Sequence, residues 1–200
     1  MVEVPHASVT PRSADDVLRS FLAVLPTDRD VVLVPHSNAG LYVPRLTAHR
    51  RVVAYVFVDA GLPPRTGLIP LAPAPFYGFL AQKADENGML PPWTQWWEAD
   101  ISELFPSVEV REQVEHEQQR LPLTYFAASL PVPQGWDDQP GAYLAFGNTY
   151  AGDRTEAAAR GWKTRTLPGE HLHMLISPEQ VAVEVQTLLA QLGIVPRDAR

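Results

Sequence analysis

The run Val31 to Val34 limits what this chain can fold into more than any other segment. Four successive β-branched or aliphatic residues, with no polar alternation, suit a strand buried on both faces, as in a parallel sheet. Pro35-His36-Ser37-Asn38-Ala39-Gly40 follows at once, and Leu41 to Arg50 then reads as a helix. Pro44 fits that helix only in its first turn, where no N–H is needed. A second continuous apolar run, Val52 to Val58, ends at Asp59-Ala60-Gly61. Strand, tight turn, helix and strand in this order imply a right-handed crossover between parallel neighbours.

The flanking segments extend this pattern. Val2 to Val4 is a short β-type run ended by Pro5. Its pairing beside Val31 to Val34, or an open edge there, is expected; an apolar edge is an aggregation hazard, so a second subunit covering it is expected too. Ser13 reads as an N-cap with Asp16 three residues on, a variant of the capping box. Val17, Leu18, Phe21, Leu22 and Leu25 lie at helical spacing, so a helix is expected from Ala14 to Leu25, stopped by Pro26. From Pro63 to about Gln119 the chain is rich in proline and aromatics, with Trp93, Trp96 and Trp97 close together. Phe76 to Ala84 and Val108 to Gln119 read as helical and no strand signal appears, so residues 63–119 are expected to form a helical cap insertion.

Strands are expected again at Leu123 to Ala127, Ala142 to Phe146 and, more exposed, Lys163 to Leu167, with a helix at Thr155 to Arg160. Pro178 to Leu192 is a closing helix with Val181, Val185, Leu188, Leu189 and Leu192 on one face, and Gly193 is its C-cap. The expected class is α/β: a mostly parallel sheet flanked by helices, made from residues 1–62 and 120–200, with the cap inserted at 63–119.

Composition removes several classes of function. The formal net charge of −7 offers no basic surface for phosphates, so no nucleic-acid partner is expected. With no cysteine in the chain, disulfides, thiolate metal sites and cysteine nucleophiles are excluded. No apolar run approaches the roughly 20 residues that span a bilayer, and the first twelve residues lack the layout of a signal peptide. A cytoplasmic protein without a membrane partner is the expectation. His171-x-His173 is only a pair, and Glu170 is a poor third ligand at that spacing, so no metal is expected. No glycine-rich phosphate loop or cofactor motif is present.

Ser37 is where the chemistry starts. Between a buried strand and a helix, its hydroxyl can be held on a sharp turn above the sheet, with the positive end of the helix and the Asn38 N–H aimed at the same spot. Pro35-His36-Ser37-Asn38-Ala39-Gly40 resembles the α/β-hydrolase nucleophile elbow, G-x-S-x-G. Gly169-Glu170-His171-Leu172-His173-Met174 is similar to the loop carrying that superfamily's catalytic histidine, and Val56-Phe57-Val58-Asp59-Ala60 to the strand after the elbow. The resemblance covers most of the chain outside residues 63–119. It departs at Pro35 and Ala39, where the motif has glycines. Only about 36 residues precede Ser37, so an N-terminally shortened fold lacking the usual second oxyanion donor is expected.

The resemblance implies a triad. His171 is the base, with His173 as fallback, and His36 is expected to point away from the serine and pack or hydrogen-bond beneath it. The acid has two candidates. Many relatives carry it after the strand that corresponds to Ala142–Phe146, where Gly147-Asn148-Thr149-Tyr150 holds no carboxylate and Asp153 lies further on. Others carry it one strand earlier, where this chain has Asp59, the preferred choice. Trp93, Trp96, Trp97 and Tyr150 are candidate substrate-binding residues, the tryptophans equally reading as a local core. The implied function is hydrolysis of a small ester, thioester or lactone, with no cofactor, through an acyl-enzyme on Ser37. The alternatives are a non-hydrolytic enzyme of natural-product metabolism (cyclase, lyase or epimerase) on the same scaffold, and a small-molecule-binding protein with a relict triad.

Overall fold

A computed structural model describes residues 11–194; the run Val2 to Val4 lies outside them. The described part of Met1–Leu25 and Leu68–Pro131 form one compact unit, and Pro26–Gly67 with the described part of Val132–Arg200 form a second.

The second unit is built on a parallel sheet. Its strands are β1 (Val31–Leu33), β2 (His36–Ser37), β3 (Val52–Ala60), β6 (Gly141–Phe146) and β7 (Lys163–Leu167). They run in the order β1-β3-β6-β7, with β2 pairing β3 just beyond β1, and the pairs are parallel. The two apolar runs explain the centre: from Ala54 to Ala60 no residue of β3 is more than 4% exposed, and β6 is buried throughout. Strands this apolar are stable only when covered on both faces. On one side Val56, Val58, Ala142, Leu144, Phe146 and Leu167 pack with Val181 and Leu188 of α8 (Pro178–Gln191), and Val185, Leu189 and Leu192 border them. Elsewhere in the core Tyr55 and Phe57 lie among Trp136 and Trp162, and Tyr143 stacks on Phe57. The edge strand β7 is Lys-Thr-Arg-Thr-Leu and buries only Leu167, a polar edge that discourages further pairing.

The helix expected at Leu41 to Arg50 is shorter and starts differently. A 3-10 turn covers Asn38–Tyr42 and passes into α2 (Val43–Thr47), with Pro44 in its first turn. The helix α6 (Ala151–Ala159) begins before the expected Thr155, and the short α7 (His173–Ile176) precedes α8. Gly193 has a positive φ of 75° just past α8, as a C-terminal glycine should.

In the first unit α1 (Ala14–Val24) carries the complete capping box of Ser13 and Asp16. The helices α3 (Ala74–Ala81) and α4 (Val108–Glu117) fall near their expected places. Two expectations fail. Leu123 to Ala127 is not a strand: α5 (Leu123–Phe126) is one helical turn entered from Pro122, because so short a run carries no period that separates a strand from a buried turn. Strands do exist where none was expected, as β4 (Gly67–Pro70) pairs with β5 (Ser129–Val132). Each contains a proline, which a pattern reading demotes and a two-stranded ribbon tolerates. Among the described residues no helix is long and apolar enough to cross a membrane.

Candidate active site

Ser37 sits where β2 ends and the 3-10 turn begins, with φ 56° and ψ −133°. A left-handed conformation at a non-glycine residue costs about 1–3 kcal/mol and persists only when neighbours impose it. Both flanks do so here. The Val58 N–H donates to the Pro35 carbonyl at 2.9 Å and the Gly61 N–H to the Ser37 carbonyl at 3.1 Å, which ties the turn to the end of β3. Pro35 contributes an acceptor at this point, so its missing N–H does not weaken that contact. Gly40 is needed: a Cβ there would stand 2.2 Å from the Gly61 carbonyl oxygen.

Asp59 is the second-last residue of β3. Its φ is 41° and it is wholly buried. A buried carboxylate must have its lone pairs satisfied, and two donors do this. The Phe146 N–H, from the neighbouring β6, donates to Oδ1 at 3.0 Å, and His171 Nδ1 lies 2.7 Å from Oδ2. Tyr143 fixes the next residue by donating its hydroxyl to the Ala60 carbonyl at 2.6 Å and accepting from the Ala60 N–H at 3.1 Å. Strand register therefore determines where the carboxylate stands.

His171 comes from the loop after β7. Its Nε2 is 3.0 Å from Ser37 Oγ. A carboxylate only accepts, so Nδ1 carries a proton, and in the neutral imidazole Nε2 is then the acceptor facing the serine hydroxyl. Ser37, His171 and Asp59 thus stand as nucleophile, base and orienting acid would. Asp153 is engaged elsewhere, accepting the Leu62 N–H at 2.7 Å, and burial pushes its carboxyl above the usual range.

Two neighbours of the trio were not visible as such from sequence. His36 was expected beneath the turn and away from the chemistry. Its ring instead stacks on His171, centroids 4.5 Å apart, and its Nε2 donates to the His171 carbonyl at 3.0 Å. Burial first, and then the facing His171, lower its pKa to about 4. It is neutral at pH 7 and adds no charge beside His171. Tyr150, expected only as a substrate contact, places its hydroxyl 3.3 Å from Ser37 Oγ. These pairs are separated by 135 and 113 positions in sequence, and no local pattern reports such contacts. Asn38 opens the 3-10 turn next to Ser37.

The tryptophans belong to the other unit. Trp96 is 5% exposed and packs on Phe76, Trp97 and Phe126, and its indole N–H donates to the Pro91 carbonyl at 2.8 Å. Trp93 and Trp97 meet edge to face at 5.8 Å. Among the described residues no group of three His, Asp or Glu side chains is arranged to hold a metal.

No family model matches the chain, and no curated protein matches it in sequence. Solved structures do match in shape. A tomato methylketone synthase I variant superposes with a TM-score of 0.68 at 13% identity, over 90% of this chain and 80% of that one. An extracellular α/β-hydrolase from a Paenibacillus species gives 0.60 at 15% identity, over 89% and 77%. A methylesterase from Arabidopsis gives 0.60 at 18% identity, over 92% and 79%. The likeness is one of fold: the chain has the α/β-hydrolase fold.

Proposed function

We propose that this protein is a serine-dependent hydrolase acting on a small ester, thioester or lactone through a covalent acyl-enzyme. The observation that carries the reading is the unbroken path from Asp59 through both ring nitrogens of His171 to Ser37 Oγ, at 2.7 and 3.0 Å. Ser37 Oγ attacks the carbonyl carbon while its proton passes to His171 Nε2. Asp59 holds the tautomer and stabilises the imidazolium that forms. The Asn38 N–H, at the start of the 3-10 turn, is the backbone donor for the developing oxyanion. Collapse of the tetrahedral intermediate expels the alcohol or thiol, which takes the proton back from His171. Water then repeats the sequence on the acyl-serine. A likeness to a methylesterase and an extracellular hydrolase agrees with this reading.

The rival is a non-hydrolytic enzyme on the same scaffold, which the likeness to methylketone synthase favours. Fold alone does not choose between them. A fluorophosphonate probe and a chromogenic short-chain ester together do. Wild type is expected to be labelled and to turn the ester over, and Ser37→Ala to do neither while remaining folded. A folded wild type that resists the probe would sink the serine mechanism. Labelling without ester turnover would favour the non-hydrolytic enzyme.

A further inference from the structure

Acyl transfer at a serine depends on donors aimed at the oxyanion, and the reading above draws on the Asn38 N–H alone. We propose that the phenol of Tyr150 is a second oxyanion donor, taking the part of a backbone N–H with a side chain. This rests on the serine-hydrolase reading above and assigns a residue that reading leaves idle.

Asp59 only accepts, so His171 Nδ1 donates to it, and in the neutral ring that a general base requires Nε2 accepts. The Ser37 hydroxyl therefore spends its single proton on Nε2, 3.0 Å away. What remains on Ser37 Oγ is lone pairs, so across the 3.3 Å contact with Tyr150 the phenol is the donor. An O–H···O bond is normally about 2.7–2.8 Å long, so this one is loose and its proton is free to be redirected.

The attack redirects it. The Oγ–C bond forms, the carbonyl π pair moves onto oxygen, and the serine proton goes to His171. The oxyanion is now bonded to the same carbon as Oγ, one bond angle from where the phenol points. Oγ has become an ether-like, weaker acceptor, whereas the oxyanion accepts a charge-assisted bond roughly twice as strong as a neutral one. The Tyr150 proton turns to it but is not transferred. Collapse re-forms the carbonyl, expels the leaving group with the proton from His171, and returns the phenol to Oγ.

The position of Tyr150 is built for this. It precedes α6 in the loop after β6, the place where the resemblance put a carboxylate, and Asp59 supplies that carboxylate one strand earlier. Its ring lies 5.6 Å from that of His171, and its Cε1 would be 3.8 Å from a Cβ at Gly61, so it packs against the end of β3. Burial raises its pKa further above the ordinary phenol value, so it keeps its proton throughout the neutral range.

The test is Tyr150→Phe, which removes one oxygen and keeps the ring. Wild type and variant are titrated with the fluorophosphonate probe, so that rates refer to active sites. They are then compared on a chromogenic ester and on its thionoester, whose sulfur is a poor acceptor. The expected result is a fall in kcat of about 10²–10³ on the oxygen ester, the usual cost of one oxyanion donor, with KM nearly unchanged and a much smaller fall on the thionoester. Equal losses on both substrates, or no loss, with wild type still labelled, would overturn the role of Tyr150 and leave the serine mechanism standing. Failure of wild type to label would overturn both. Because the oxygen-to-sulfur ratio is taken within each protein, partial misfolding of the variant cancels.

Discussion

The two compact units are ordered by different means. In the unit made from Pro26–Gly67 and Val132 onward, order comes from long-range register. Tyr55 to Val58 of β3 lie against Gly141 to Leu144 of β6, and Ala142 to Phe146 against Lys163 to Leu167 of β7. In the unit containing Leu68–Pro131, strand register among the described residues is confined to the short pair β4 and β5, and the helices are set by their local starts. The helices α3 and α5 and the turn Trp93–Gln95 each start after a proline, Pro73, Pro122 and Pro92, that offers no side-chain cap. Cohesion there comes from rings, with Trp96 at 5.5 Å from Phe126 and Phe79 at 5.8 Å from Trp97. Register holds atoms to a fraction of an ångström across many residues, which a proton path requires; ring packing tolerates more. The geometry of Ser37, His171 and Asp59 should therefore be sensitive to single atoms in the first case, and stability to whole side chains in the second.

The largest expected effect tests the first half of that contrast. Asp59→Asn keeps the shape of the side chain but presents an amide N–H to His171 or reverses its tautomer. On the serine-hydrolase reading kcat should fall about 10⁴-fold, as in other triads, with the melting temperature little changed. Steady-state kinetics and calorimetry decide it. A fall in kcat matched by a collapse in stability would mean that Asp59 serves the fold, through Phe146, more than it serves the base.

Next in size is Trp96→Ala. Removing a large buried aromatic typically costs about 3–5 kcal/mol through lost contacts and the cavity left behind. Urea unfolding should show that loss, while the probe still labels Ser37 at temperatures where the protein is folded. A cost below about 1 kcal/mol would place Trp96 among side chains whose site refills easily, and the ring cluster would lose its claim to hold that unit together.

How much of this was legible in sequence follows the same division. The continuous runs at Val31 and Val52, the turn at Ser37 and the periodic face of α8 are strong local signals, and each marks a real element of the sheet unit. The choice between Asp59 and Asp153 was not settled, because it depends on which carboxylate the Leu62 N–H occupies and which the Phe146 N–H holds. Contacts of His36 and Tyr150 were hidden for the same reason, their partners being more than a hundred residues distant. In the proline-rich stretch the failure was different in kind. Leu123-Thr124-Tyr125-Phe126 has strand composition, yet the fixed geometry of Pro122 and the short span favour one helical turn, and the strand forms at Ser129–Val132 instead. Propensity is a weak prior there and tertiary context overrides it.

The smallest predicted effect concerns pH, and the units differ in it too. Among shifted groups in the aromatic unit, Asp85, Asp100 and Glu109 are exposed, and all are held below the usual carboxylate range by hydrogen bonds. They matter only as pH falls below about 4.5, the unperturbed value for Glu109. The sheet unit holds His36, whose pKa drops from 6.5 to about 4 on folding because it is buried and faces His171. Between these values the unfolded chain binds more protons than the folded one, so stability rises with pH there. The neutral ring is fully accommodated above pH 6.5, and its burial becomes a growing penalty as pH falls toward 4, reaching about 3 kcal/mol at 1.36 kcal/mol per pKa unit. Asp153, raised by burial, has the opposite sign, since its cost at neutral pH is relieved on acidification. Taking wild type minus His36→Gln removes the Asp153 contribution from the comparison. Urea unfolding between pH 4.5 and 7 should show a steeper loss of stability for wild type than for the variant. Parallel curves would mean that His36 titrates normally in the folded protein, and that its stacking on His171 opens to water.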